Sequence, residues 1–201
     1  MKLILSSRDF HEDAPRAVIE AHLPKPAKDC RVLFIPNEHA TPENLKNDMY
    51  NRRLRQKGFS RGNIYVFDHT RPRDFEDLSP DLIYISGGNT FLLLKKLRDT
   101  GFDKALVRYL RAGVLYIGGS AGAHIVSESV AHIARYDEVP AGFDDFFALG
   151  LVDAIFVCHY GPEREEHYKE LCAVGARVIA LTDTQSVLFE DGKATFYGAD
   201  E

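Results

Sequence analysis

Seven short, unbroken apolar runs separated by amphipathic stretches limit what this chain can fold into more than any other feature of its sequence. The runs are Leu3–Leu5, Arg31–Ile35, Ile64–Phe67, Leu82–Ser86, Val114–Ile117, Ile155–Cys158 and Val178–Leu181. They do not alternate between apolar and polar residues, so they read as strands covered on both faces. Helical patterns lie between them: Glu43–Lys57 closed by Gly58, Phe91–Arg98, Phe102–Arg111 closed by Gly113, and Glu163–Cys172 closed by Gly175. This alternation predicts an α/β fold with a doubly wound, mostly parallel sheet. The pattern changes near the end. Val187–Glu190 and Lys193–Tyr197 flank Asp191-Gly192, a dipeptide that supplies the positive φ angles of a C-terminal β-hairpin. At 201 residues the chain reads as a single domain, 1–201. Ala134–Gly150 is the least regular stretch and is long enough to suspect a functional loop.

Composition excludes several classes. A net charge of −5 without a Lys/Arg stripe argues against a nucleic-acid partner. No apolar run approaches the roughly 20 residues that span a membrane, and the run at Met1–Ser7 is too short for a signal peptide. Cys30, Cys158 and Cys172 are an odd set without close spacing, as expected of reduced thiols in a cytoplasmic protein.

The densest chemical signal is Gly118-Gly119-Ser120-Ala121-Gly122-Ala123, between the run Val114–Ile117 and a helical pattern. A nucleophile elbow reverses the chain sharply from strand to helix and tolerates only small neighbours around its serine. The Ala121 amide, at the helix start, can then donate to a developing oxyanion. The competing reading is a tight βα turn or a phosphate-binding loop. A second glycine loop, Ser86-Gly87-Gly88-Asn89-Thr90, follows another strand at the same sheet edge. It offers the Gly88 amide as the other oxyanion donor, or serves only to cap its helix through Asn89 or Thr90. It lacks the spacing of a dinucleotide fingerprint, and no cofactor is expected.

Together these loops resemble the aspartyl dipeptidase (dipeptidase E) family of serine peptidases, distantly related to cyanophycinases. The matching segments are Gly87-Gly88-Asn89-Thr90-Phe91-x-Leu93-Leu94-Lys95 and Gly113-x-Leu115-Tyr116-Ile117-Gly118-x-Ser120-Ala121-Gly122-Ala123, with weaker matches at Gly142-Phe143-Asp144 and Gly161-x-x-Arg164-Glu165. The resemblance implies a flavodoxin-like fold, akin to class I glutamine amidotransferases, and a serine triad that cleaves short peptides beginning with aspartate. Two departures stand out. The family's tryptophan before the serine is Gly119 here, which is expected to leave room beside the nucleophile, and a C-terminal extension typical of the dipeptidases is not expected.

A serine hydroxyl needs a base to take its proton. Of the eight histidines, His11, His22, His39 and His69 lie in stretches read as early loops or helices, and His124 reads as structural. His159 ends the run Ile155–Cys158, at a strand's carboxyl end where sites in such sheets gather. It also matches the family's catalytic histidine. The third member, a carboxylate that orients the imidazole, is either Asp183, at the end of Val178–Thr182, or Asp137 in the long loop. Both match acidic positions of the family, and strand-end placement favours Asp183. Glu163 and His167 sit four apart and could imitate a metal face, but the run from Glu163 to His167 reads more simply as a solvated helix with an acidic first turn. No metal is expected. Arg164 is the candidate for a substrate carboxylate, with Asn89 as a second substrate contact. The expected partner is a small peptide, and the expected state is a monomer or homodimer. An α/β-hydrolase-type esterase and a non-hydrolytic ligand-binding relative are the competing functions. The former would need a His-Gly-Gly-Gly loop, which is absent.

Overall fold

The computed structural model describes residues 1–36 and 41–198; His39 lies outside the described residues. Among the described residues nine strands form: β1 (Lys2–Ser6), β2 (Val32–Ile35), β3 (Ile64–Val66), β4 (Leu82–Ile85), β5 (Leu115–Gly119), β6 (Ile155–Val157), β7 (Val178–Ala180), β8 (Ser186–Glu190) and β9 (Lys193–Tyr197). Seven of them make one sheet in the order β3-β2-β4-β5-β1-β8-β9. The first five positions are parallel, and β8 and β9 are antiparallel. Strands β2 to β5 follow the 2-1-3-4 order of flavodoxin-like sheets, and β1 takes the fifth place. The hairpin turn has Asp191 at φ 51° and Gly192 at φ 76°, as its dipeptide predicts.

One pair of apolar runs behaves differently from a simple doubly wound sheet. β6 and β7 pair only with each other, in register Ile155↔Val178 to Val157↔Ala180. The edge of β1 that they would extend is taken by β8. An unbroken apolar run requires cover on both faces, and a strand layered on the sheet satisfies that as well as one inside it.

The helices are α1 (Asp13–His22), α2 (Pro42–Lys46), α3 (Met49–Gln56), α4 (Thr90–Asp99), α5 (Phe102–Arg111), α6 (Ala121–His124) and α7 (Glu165–Ala173). The run Glu43–Lys57 is two helices rather than one. Asn47 adopts an extended ψ of 157°, and its Oδ1 accepts from the Met49 amide at 2.8 Å, a local bond that competes with helix. The run from Glu163 likewise begins with a short 3-10 turn, Pro162–Arg164, before α7.

Two cores cover the main sheet. One face packs Ile4, Phe10, Ile19, Phe34, Tyr50, Leu54 and Tyr84, joining α1 and α3 to the strands. The other packs Phe91, Leu94, Phe102, Leu106, Tyr116 and Ile125 with Phe156, Cys158, Ile179 and Leu181. It thus seats α4, α5, α6 and the β6–β7 pair. Each large apolar side chain removed from water in this way contributes about 1.5–3 kcal/mol. No helix among the described residues is long and apolar enough to cross a membrane.

Candidate active site

The strands β1, β4, β5, β6 and β7 each deliver residues to one edge of the molecule. After β5 the chain turns at Ser120 with φ 48° and ψ −107°, a conformation costing on the order of 1–3 kcal/mol. Its amide donates to the Ser6 carbonyl at 2.8 Å, and its carbonyl accepts from Ala123 and His124 at 2.8 and 3.0 Å. The glycines are needed for space. A Cβ on Gly118 would meet the Gly122 carbonyl oxygen at 2.6 Å, and one on Gly122 would meet the Ile85 carbonyl oxygen at 2.6 Å. The buried Tyr116 hydroxyl donates to the Gly122 carbonyl at 2.7 Å and fixes the start of α6.

His159 follows β6 and, like Ser120, has a positive φ, 54°. Its Nε2 lies 3.0 Å from Ser120 Oγ, and its Nδ1 lies 2.6 Å from Asp183 Oδ1. Three of the sequence candidates therefore meet in one hydrogen-bonded line. Asp137 is not part of it. Its Oδ2 accepts from the Thr90 amide at 2.7 Å, so it caps the N-terminus of α4. Asn89 completes the same cap. Its Oδ1 accepts from Leu92 N at 2.9 Å, and its Nδ2 donates to the Glu138 carbonyl at 2.8 Å. Both polar atoms of Asn89 are occupied within the protein.

The Gly88 and Ala121 amides have no acceptor among the described residues. Gly88 adopts φ 147°, a conformation open to glycine. The next residue back, Gly87, lies against Ser120; a Cβ there would come within 3.1 Å of Ser120 Cβ.

Arg164 sits in the 3-10 turn after His159. Its Nη1 donates to the Cys158 carbonyl at 2.7 Å, and its guanidinium stacks 4.0 Å from the Tyr136 ring centroid. It is fixed by two contacts and retains unused N–H donors. Cys158 is no competing nucleophile, because burial pushes its thiol up to about 12.

The remaining histidines near the site are structural. His124 Nδ1 is 3.2 Å from Thr90 Oγ1, His132 Nε2 is 3.0 Å from the Phe156 carbonyl, and His167 Nδ1 is 2.8 Å from Tyr136 Oη. His167 is buried, which corrects the reading of that helix as wholly solvated. Burial, the largest cause in each case, holds all three below the usual histidine range, His132 down to about 4. Among the described residues no three His, Cys, Asp or Glu side chains gather as a metal site.

Three residues after β1 were missed by sequence reasoning. Ser7 Oγ accepts from the His159 amide at 2.8 Å and donates to the Leu181 carbonyl at 2.7 Å, joining the ends of β1, β6 and β7. Arg8 Nε lies 2.8 Å from Asp183 Oδ2. Asp9 is buried beside Gly119, and its carboxylate occupies the space that a Cβ there would need. Gly119 therefore opens no room beside the serine, contrary to expectation. The available signal was position: polar residues directly after a parallel strand.

A model of peptidase family S51 matches residues 3–197. The chain belongs to peptidase family S51. It is similar to the uncharacterized peptidase Lmo0363 of Listeria monocytogenes, 45% identical over 82 residues, which are 40% of this chain and 40% of that protein. Peptidase E of Salmonella typhi is 33% identical over 127 residues, covering 59% of this chain and 56% of its own length. The matches thus span about half or less of these curated relatives. The S51 fold is shared with a crystal structure from Listeria monocytogenes EGD-e, at a TM-score of 0.76 and 24% identity, covering 97% of this chain and 96% of that one. A peptidase from an acI-B1 Actinobacterium superposes at a TM-score of 0.71 and 16% identity, covering 98% of this chain and 87% of that one.

Proposed function

We propose that this S51 chain is a serine peptidase that hydrolyses short peptides, dipeptides with an N-terminal aspartate among them. The observation that carries the reading is the pair of contacts on His159: Nε2 at 3.0 Å from Ser120 Oγ and Nδ1 at 2.6 Å from Asp183 Oδ1. In this mechanism His159 takes the Ser120 proton as Oγ attacks the scissile carbonyl. The Asp183 carboxylate holds the imidazole in the required tautomer and offsets its positive charge. The Ala121 and Gly88 amides receive the oxyanion. His159 then gives its proton to the leaving nitrogen, and water repeats the sequence on the acyl-enzyme. Arg164 supplies a fixed cation near His159 for a substrate carboxylate.

A fluorophosphonate probe tests the nucleophile, and a panel of dipeptides and small esters tests the bond. Labelling at Ser120, lost in Ser120→Ala, with faster release from Asp-Leu than from Asn-Leu or simple esters, is the expected result. An unlabelled serine would overturn the hydrolase reading. Preferential ester cleavage would point to an esterase.

A further inference from the structure

A cavity of about 600 Å³ opens on the face covered by α1 and α3, with Ser86 at the end of β4 in its lining, and the mechanism above makes no use of it. Its floor is aromatic: Phe10, Phe34, Tyr50 and Tyr84. Its rim is basic. Arg53 is exposed, and Lys57 lies 4.7 Å from the Phe10 ring centroid. Among the described residues neither pairs with a carboxylate, whereas Arg16, also on the rim, is held by Asp13 at 3.2 Å. Among the described residues Glu20 is the one acidic side chain in the lining.

Ser86, which lines the cavity, directly precedes Gly87, where an added Cβ would lie 3.1 Å from Ser120 Cβ. The two halves of a substrate can be placed from this geometry. His159 must reach the leaving nitrogen, and it arrives with β6 on the face covered by α4, α5 and α6. The leaving half therefore lies on that face. The cavity walls belong to the opposite core, between α1 and α3, so they receive the acyl half. The volume falls within the roughly 300–1,000 Å³ of small-molecule sites and exceeds what a lone aspartyl residue fills.

We propose that this cavity is a subsite for acyl groups longer than one residue, seating an aromatic side chain on its floor and a carboxylate at Arg53 and Lys57. The proposal rests on the peptidase reading for which half of the substrate lies where. The floor's Tyr84 hydrogen-bonds the buried Asp9 carboxyl, so an anion belongs at the basic rim and an uncharged ring below it. The enzyme then cleaves after an aspartate that is itself preceded by another residue.

Two measurements separate the subsite from the peptidase reading. The first is calorimetric binding of succinyl-Phe-Asp to Ser120→Ala, which needs no turnover. Binding is expected, and Arg53→Gln/Lys57→Gln in the same background should weaken it at least tenfold. Absence of binding overturns the subsite. Binding that the double substitution leaves unchanged also overturns it. The second compares p-nitroaniline release from succinyl-Phe-Asp-p-nitroanilide and Asp-p-nitroanilide. The extended substrate should have the higher kcat/KM, and the double substitution should lower the ratio of the two at least tenfold. Cleavage of the short substrate alone overturns the subsite. Binding without turnover of either substrate leaves the subsite standing and counts against the peptidase reading only.

Discussion

Arg8 and Asp183 form an ion pair, Nε to Oδ2 at 2.8 Å, on the same carboxylate whose other oxygen faces His159 Nδ1. Both side chains are partly exposed, 52% and 40%, so water screens the pair and it contributes little to stability. Its effect is geometric, because it limits how the carboxylate can rotate. Arg8→Gln should leave the melting temperature within a degree or two while lowering kcat several-fold at unchanged KM. A KM effect alone would show that Arg8 meets substrate instead.

The two acidic candidates should separate cleanly. Asp183→Asn is expected to lower kcat by about 10³–10⁴-fold, since an amide can hold the wrong histidine tautomer. Asp137→Asn should change kcat far less. Asp137→Ala, which removes the acceptor altogether, should instead cost about 0.5–2 kcal/mol of stability through the cap on α4, read by denaturant unfolding. The opposite ranking would move the relay to the long loop.

Gly119→Ala tests the packing beside the nucleophile. The added methyl collides with the Asp9 carboxylate, which is buried and accepts from the Phe10 amide. Overpacking of this kind costs about 1–3 kcal/mol, or roughly 2–12 °C in Tm for a chain of this size. Combining Gly119→Ala with Asp9→Gly should recover part of the loss, a coupling expected only of residues in contact. Strict additivity in thermal unfolding would refute the contact.

Acid should destabilise the fold through the buried histidines. His132 is held down to about 4, packed between the His124 and His167 rings at 6.1 and 5.7 Å. A group that binds its proton less readily when folded stabilises the native state above its unfolded value, near pH 6.5. That stabilisation is lost as pH falls toward 4. Thermal unfolding from pH 7 to pH 4.5 should therefore show a steeper fall for the wild type than for His132→Gln. Equal slopes would place the acid sensitivity elsewhere.

Much of this arrangement is legible in the residue order, for identifiable reasons. Ser120, His159 and Asp183 each close an apolar run, and parallel strands deliver such residues to one edge. The layered β6–β7 pair was not legible, because an apolar run reports cover on both faces and not which sheet supplies the partner. α1 was missed because only Pro15, Val18 and Ile19 of its ten residues are buried, too few for a clear period. Ser7, Arg8 and Asp9 were invisible for a different reason. Their meaning lies in partners far along the chain, 152 residues away for Ser7 and His159, and no local pattern encodes that distance.

The placement of β1 also bears on when the site can first exist during synthesis. Ser7, Arg8 and Asp9 are made before every partner described for them, and the strand that precedes them lies between β5 and β8. Until Ser186–Glu190 has been made, β1 has an unpaired edge and Leu181 is not yet available to Ser7. Ser120 and His159 are translated earlier, but the β1 end that contacts them is locked only once β8 is in place. A growing chain therefore cannot close both the Ser7 bridge to β7 and the second edge of β1 until Ser186–Glu190 has been made.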